Sequence, residues 1–385
     1  MTLLKDIVQI EKGRKYNLLE ENQHGAIRVF QANDFRNENK PLFTFDDDGV
    51  LAEENDIMLV WDGSVGQMGF GRSGYVGSTM VKLKVKNKKR FSPFFIYRFL
   101  QTKSEYLKRK ATGATIMHIN RKSLEQLEIP DLDFDDQLHI ANILSKAENL
   151  ISQRKESIRL LDEFLKSTFL EMFGDKTYDK VKLGEILEIQ SGQVNPNEHP
   201  YCEMYHVGGA NIESNTGKLI NLKYAKDEHL ISGKYFFTKD HILYSKIRPN
   251  LNKVAIPDFS GICSADMYPL LPDTKILDKN YLRFTLMSDD FLSYALKHSD
   301  RTNIPKINRN ALCGYSISLP IIELQTRFAQ IVEKTEALKS QYQQSLLELE
   351  NLYGSLSQRA FRGELGIKDD GFLMAAEPYL EYKTL

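Results

Sequence analysis

The sequence predicts an α+β protein built as an internal pseudo-two-fold repeat. Two β-rich globular domains are each followed by a long helix, and the two helices pair as an antiparallel coiled coil. Three observations predict it. The tripeptide Ile-Asn-Arg occurs at 119–121 and again at 307–309, each time with Leu five residues after the Ile (Leu124, Leu312) and an apolar residue plus Pro at the end (Ile129-Pro130, Leu319-Pro320). The same offset, 188, relates QLHIANIL (137–144) to QTRFAQIV (325–332), and a looser one, 185, relates NDIMLV (55–60) to DHILYS (240–245). Third, two long stretches carry heptad-spaced apolar residues. A repeat of this kind decides the architecture before any single motif does.

The elements follow in chain order. The first globular domain covers 1–135. Its clearest strand is VKLKVK (81–86), where Val81, Leu83 and Val85 alternate with Lys82, Lys84 and Lys86. A helix is expected from Pro93 to Lys110. The first long helix, 136–174, places Ile140, Leu144, Ala147, Ile151, Arg154, Ile158, Leu161, Leu165, Thr168 and Met172 in steps of four and three. No Gly or Pro occurs from 131 to 173, and Gly174-Asp175 ends the run.

The second domain, 175–320, opens with KLGEILEIQSG (182–192), which resembles LLKDIVQIEKG near the N-terminus. ILYSKI (242–247) and YSISLP (315–320) read as strands, and Tyr281–Ser288 as a short helix. The second long helix, 321–365, carries Phe328, Ile331, Thr335, Leu338, Tyr342, Ser345, Leu349, Leu352 and Leu356, interrupted at Gly354 and ending before Gly363. Some 35 residues at ~1.5 Å each span about 50 Å. Neither helix can bury its stripe alone, so each is expected to pack on the other. The tail, 366–385, has no periodic pattern and is expected to be partly disordered.

Composition narrows the class. The 385 residues are 42% hydrophobic and 27% charged with a net charge of -1, so any anion-binding surface must come from local clustering. Three widely spaced cysteines argue against a disulfide framework and fit a reducing cytosol. The N-terminus has no apolar core of a signal peptide, and no run approaches the ~18 apolar residues of a membrane span. A cytoplasmic protein with no membrane contact is expected.

The residues offer little for catalysis. Asn195-Pro196 is followed by Asn197, so the Asn-Pro-Pro-aromatic motif of amino-methylating enzymes is absent. GSVGQMGFG (63–71) is Gly-rich, but no helix pattern follows it as a dinucleotide loop requires, so it reads as a loop of turns. No Walker A, GxSxG or metal-nuclease pattern occurs. His199, Cys202 and His206 have ligand-like spacing, yet a structural zinc site needs four ligands, so no metal is expected.

Nucleic-acid contact has better support. Residues 82–110 hold eleven basic side chains against one acid, Glu105. A charge run is usually a solvated face, but this one is concentrated in a nearly neutral chain. The candidates in the first domain are Lys82, Lys84, Lys86, Lys108, Arg109, Lys110, Thr112, Thr115 and Arg121. In the second they are Lys246, Arg248, Asn250, Asn252 and Lys253, in the loop SKIRPNLNK, then Arg301, Asn303, Lys306 and Arg309. Arg suits guanine and Asn suits adenine at base edges. The short loops KRKATGATIMH (108–118) and HSDRTNIPK (298–306), just before each Ile-Asn-Arg, suit phosphate and base-edge contact. In that tripeptide the Ile buries, the Asn caps the following turn, and the Arg faces the loop or a phosphate.

Taken together, the Ile-Asn-Arg segments, the Gln-x-x-apolar-Ala helix starts at 137 and 325, and the helix ends LLDEFLKSTFLEMFGD (160–175) and LSQRAFRGEL (356–365) resemble the specificity (S) subunit of Type I restriction–modification systems. The resemblance covers most of the chain in order. It implies two target recognition domains, each reading half of a split site in double-stranded DNA, with the helices as a ruler for the spacer. It implies two methyltransferase (M) subunits using S-adenosylmethionine to methylate flipped adenines, and restriction (R) subunits using ATP and Mg. The chain itself would bind no cofactor. On the residues alone, a protein-binding coiled-coil adaptor, an enzyme with unrecognised motifs, and the specificity subunit of a methyltransferase-only complex stay open.

Overall fold

The computed structural model describes residues 1–35, 40–174, 178–299 and 305–365. The expected tail, 366–385, lies outside the described residues. The chain divides into two compact units, Met1–Lys155 with Gln344–Leu385, and Glu156–Gln343. Each unit therefore holds one globular domain, the near half of one long helix and the far half of the other.

In the first unit, the strands Val8–Lys12, Met80–Val85, Ile57–Val60 and Met68–Gly69 form an antiparallel sheet in that order. A second sheet orders Leu42–Thr44, Ile27–Phe30, Gly74–Val76 and Leu51–Ala52. The first sheet is covered on both faces. Ile57, Leu59, Val81 and Leu83 join the main core with helix Pro93–Thr102, whereas Met58, Val60 and Met80 join a second cluster with Val76 and Phe30. The short strand Glu128–Ile129 returns to pair with Thr2–Leu3, so the domain closes where it began.

The second unit repeats the plan. Leu187–Ile189, Met267–Pro272, Ile242–Ser245 and Val254–Ala255 form one sheet, and a five-stranded sheet lies beside it in sequence. Lys180–Lys182 pairs with Ser316–Ser318 as the closing ribbon. The expected equivalences hold element by element: NDIMLV and DHILYS supply the strands Ile57–Val60 and Ile242–Ser245. The two N-terminal segments each form one turn of helix and then a strand.

Both Ile-Asn-Arg segments are capped helix starts. Asn120 accepts from the Ser123 amide at 3.0 Å and Asn308 from the Ala311 amide at 2.9 Å, opening the helices Arg121–Glu125 and Arg309–Gly314. Ile119, Leu124, Ile307 and Leu312 are buried around them. The cap satisfies a backbone donor that the first turn would otherwise leave unpaired.

The long helices run Phe134–Phe173 and Ile322–Phe361. Every residue of both expected seams, Arg154 and Thr168 included, is buried or half-buried. Pairing is antiparallel within each unit. In the first, the Tyr353 hydroxyl donates to Glu148 at 2.8 Å and Lys155 pairs with Glu350 at 2.8 Å. In the second, Asp162 meets Lys339, and Phe169 and Phe173 meet Phe328. The far end of each helix plugs a domain. Phe361 packs on Phe95 and Phe99, and Phe169 packs on Tyr281 and Phe284.

The near end of each helix is tied by a fully buried glutamine. Gln137 accepts from the Ser92 amide at 2.9 Å and donates to the Arg90 and Leu132 carbonyls, both at 2.9 Å. Gln325 accepts from the Asp278 amide at 2.9 Å and donates to the Ile276 carbonyl at 2.9 Å and the Pro320 carbonyl at 2.7 Å. Ser92 and Asp278 are themselves the caps of the helices Pro93–Thr102 and Lys279–Leu286.

Two expectations need correction, and one helix went unforeseen. The helix expected from Pro93 to Lys110 is two, Pro93–Thr102 and Ser104–Lys110, broken at Lys103. Helix Asp289–Lys297, capped by Ser288, was not expected from the sequence. Gly354 does not interrupt the second long helix, which runs through it, and a Cβ there would meet nothing within 4 Å. No helix among the described residues is long and apolar enough to cross a membrane.

Gln325→Ala strands one amide and two carbonyls in the interior and should destabilise the intact chain by about 3 kcal/mol, with a similar loss for Gln137→Ala, read from denaturant unfolding. Gly354→Ala should stabilise it by about 0.5–1 kcal/mol, because a helix-interior glycine gives up more backbone entropy than alanine and the added methyl has room.

Candidate nucleic-acid interface

The end of the third sheet strand and the loop before Ile-Asn-Arg meet in both domains. In the first, Asp62 bridges to His118, and the Ile119 amide donates to the Trp61 carbonyl at 2.9 Å. In the second, Ile247 bridges to Lys306, and the Ile307 amide donates to the Lys246 carbonyl at 3.0 Å. The tripeptide thus docks its loop against the same strand end twice.

In the first domain every residue of the loop 112–118 is exposed to solvent in part. Thr112 and His118 exchange both backbone hydrogen bonds, at 2.9 and 2.7 Å, and the Gly63 amide donates to the Met117 carbonyl at 2.8 Å. Asp62 accepts from Lys12 at 2.6 Å and meets His118 Nδ1 at 2.7 Å. Partial burial pushes the Asp62 carboxyl up, but its bonds to His118 and Lys12 outweigh that and hold it below the usual range. Thr112 and Thr115 lie on this loop as expected. The bracing residues Lys12, Asp62, Gly63 and His118 were missed, because the contact joins segments far apart in sequence. The Gly-rich stretch at 63 was the one available hint.

The basic run is less uniform than its sequence. Lys82 is buried, pairing with Glu11 at 2.7 Å and donating to the Leu51 carbonyl at 3.0 Å. Its strand face is not open, because the second apolar cluster covers it, and Lys82 is structural. Lys84 is half-buried on the same strand, and exposed Lys86 donates to the Lys5 carbonyl at 2.8 Å. Arg98 is buried against Glu148 and Ser145 of the first long helix. Arg90 pairs with Asp131, Lys108 with Glu105, and Arg121 with Glu125. Arg109 and Lys110 are exposed at the C-terminus of helix Ser104–Lys110, with no ion pair among the described residues.

In the second domain Lys246, Lys306 and Arg309 come together. Burial lowers the Lys246 ammonium's pKa, and the neighbouring Lys306 and Arg309 add to that. Lys246 donates to the Ala265 carbonyl and lies over Tyr268 at 5.3 Å. Arg309 does not face a free loop: it donates to the Ile189 and Gln190 carbonyls at 3.2 and 2.9 Å and stacks on Tyr235 and Tyr268. Asn252 donates to the Met287 carbonyl at 3.1 Å, and Lys253 to the Gly209 carbonyl. Arg248 and Asn250 stay exposed at the loop tip. Arg248 has φ 49°, a left-handed conformation rare for arginine and of a kind concentrated at functional sites. Arg301 and Asn303 lie outside the described residues.

His206, considered as a ligand with His199 and Cys202, instead pairs with Glu228 at 2.5 Å. Ligand atoms of His199, Cys202 and Glu203 fall within 4.8 Å of one another, but the Lys226 ammonium already lies 2.7 Å from Glu203. Three donors beside a fixed cation do not make a structural zinc site.

Comparison with known proteins follows the same division. The family model described as Type I restriction modification DNA specificity domain matches residues 2–160 and again 175–351. The chain is 27% identical over 352 residues to the Type I restriction enzyme MjaVIII specificity subunit of Methanocaldococcus jannaschii, covering 84% of this chain and 82% of the relative. It is 33% identical over 189 residues to the EcoDI specificity subunit of Escherichia coli, covering 48% and 41%. In fold it resembles the S subunit of a Type I restriction-modification system from M. genitalium, with a TM-score of 0.61 and 18% identity over 94% of this chain and 95% of the other.

Lys82→Ala should lower the unfolding free energy by about 2 kcal/mol, since it removes a buried ammonium that bonds the half-buried Glu11 and the Leu51 carbonyl. Lys110→Ala should leave the unfolding midpoint unchanged. Equal midpoints for the two variants would contradict the structural role of Lys82.

Proposed function

The chain belongs to the Type I restriction modification DNA specificity family, and from that premise we propose that it is a non-catalytic subunit reading a two-part target in double-stranded DNA. Each globular domain reads one half-site, and the paired long helices set the gap between them. The observation that carries this reading is the duplicated junction of strand end, loop and Ile-Asn-Arg cap, with exposed basic or polar side chains around each copy: Arg109, Lys110 and Thr115 in one, Arg248 and Asn250 in the other. Equivalent scaffolds carrying different loops suit two half-sites of different sequence.

Two methyltransferase subunits would dock on the two like halves, bringing S-adenosylmethionine and extruding adenines from the duplex for methylation. Restriction subunits would bring ATP and Mg. Phosphate contacts from the exposed cations would position the duplex, and groove contacts from the loops would choose the sequence. The cytoplasm is where such a complex meets DNA.

Co-expression with a methyltransferase partner, followed by mapping of methylated adenines, should give a split motif with a fixed gap. A contiguous motif, or none, would sink the reading, and failure to shift any duplex would favour a protein-binding adaptor. Removing one heptad from each helix, residues 152–158 and 345–351, keeps the seam in phase and shortens the pair by about 10 Å. The gap should shrink by about three base pairs, at ~3.4 Å each, with both half-sites unchanged.

A further inference from the structure

The tip of the loop 112–118 is apolar. Ile116 is 55% exposed and Met117 40% exposed, side by side, with no hydrogen-bonding group in either side chain. A flexible loop would turn such residues inward, but this one is held in a single shape. The reciprocal Thr112–His118 bonds close it, and the Gly63 amide pins the Met117 carbonyl. The Lys12–Asp62–His118 chain braces its base. Gly113 has φ +118°, and a Cβ there would lie 2.0 Å from the Ile116 carbonyl oxygen, so only glycine permits this turn. The fold therefore keeps two apolar side chains in water.

Their surroundings say what covers them. Exposed Lys108, Arg109 and Lys110 lead into the loop, and exposed Arg121 and Lys122 follow it. Of these, Arg109, Lys110 and Lys122 have no ion pair among the described residues. The occupant is a polyanion with apolar points on it. A loop closed by one antiparallel bridge has the width of a two-stranded ribbon. That width suits the major groove, ~12 Å wide, and not the minor groove, ~6 Å wide. On the floor of the major groove the one apolar feature is the C5-methyl of thymine.

We propose that Ile116 and Met117 are specificity-determining residues that read thymine methyl groups in the major groove of the first half-site. The proposal rests on the reading of this chain as a DNA-recognition subunit and adds a base, a groove and two residues to it. Thr112 and Thr115, on the same loop, supply hydroxyls for neighbouring base edges or phosphates.

The test uses the full chain assembled with its methyltransferase partner. Once the split motif is mapped, each thymine of one half-site at a time is replaced by uracil, which keeps the pairing edge and lacks the methyl. One or two positions in one half-site should weaken binding about fourfold per methyl lost. Ile116→Ala/Met117→Ala should bind thymine and uracil duplexes equally at those positions. The other half-site and the unfolding midpoint should not change, since both side chains are exposed. Three results would overturn the proposal: a half-site that tolerates uracil everywhere, a variant that weakens both duplexes alike, or a variant that loses the methyltransferase partner, which would give the tip to a protein contact. If the wild-type complex binds no split-site duplex at all, the functional reading falls as well, and that result is distinct from the other three.

Discussion

Two buried glutamines fix the plan of this protein. A primary amide that is dry on all sides must place its oxygen and both N–H bonds on partners, because each unmet group costs about 1–3 kcal/mol. Gln137 and Gln325 meet that demand in the same way. Each joins the first turn of a long helix to the capped start of a domain helix and to the carbonyl of the linker it has just left. The direction in which each helix leaves its domain is therefore set by hydrogen bonds, which have geometry, and not by apolar contact, which has little.

The seam then takes over. Its middle is half-buried and carries Arg154 at a position where a pure coiled coil would hold an aliphatic residue. Its ends are aromatic, with half-buried Phe361 against Phe95 and Phe99, and half-buried Phe169 against Tyr281 and Phe284. Within each unit the globular domain thus holds both helices, one by an amide at its start and the other by phenylalanines at its end. The cores contain residues from both: Ile140, Leu144, Leu356 and Ala360 in one, Leu165, Phe173, Phe328 and Val332 in the other.

Much of this was legible from sequence because it is local or repeated. The Asn120 and Asn308 caps, the heptad seams and the paired Gln positions all sit at short spacings, and a second copy of each raised them above chance. What stayed hidden was what lies across the fold. Alternation put Lys82 on a polar strand face, but it could not show a second sheet covering that face. Composition counted Arg309 as a free cation, yet its guanidinium serves Ile189, Gln190 and two tyrosines that lie far away in sequence. The Asp62–His118 brace was invisible for the same reason. The error has one direction: sequence overstates how many charges face solvent, because it cannot see which carbonyls and carboxylates tertiary structure brings to them.

The placement of Phe361 has a consequence for biosynthesis. The first domain's strands leave the ribosome early, but Leu356, Ala360 and Leu365, which complete its core, leave on the far side of the second domain. Until they arrive, Phe95 and Phe99 lack their partner ring, and the nascent domain carries an open apolar slot. Closing it needs contacts of very long sequence separation, which form slowly. A chain that stops before its second helix is complete therefore remains marked as unfinished at its oldest part, where a chaperone or protease can recognise it before it joins an assembly.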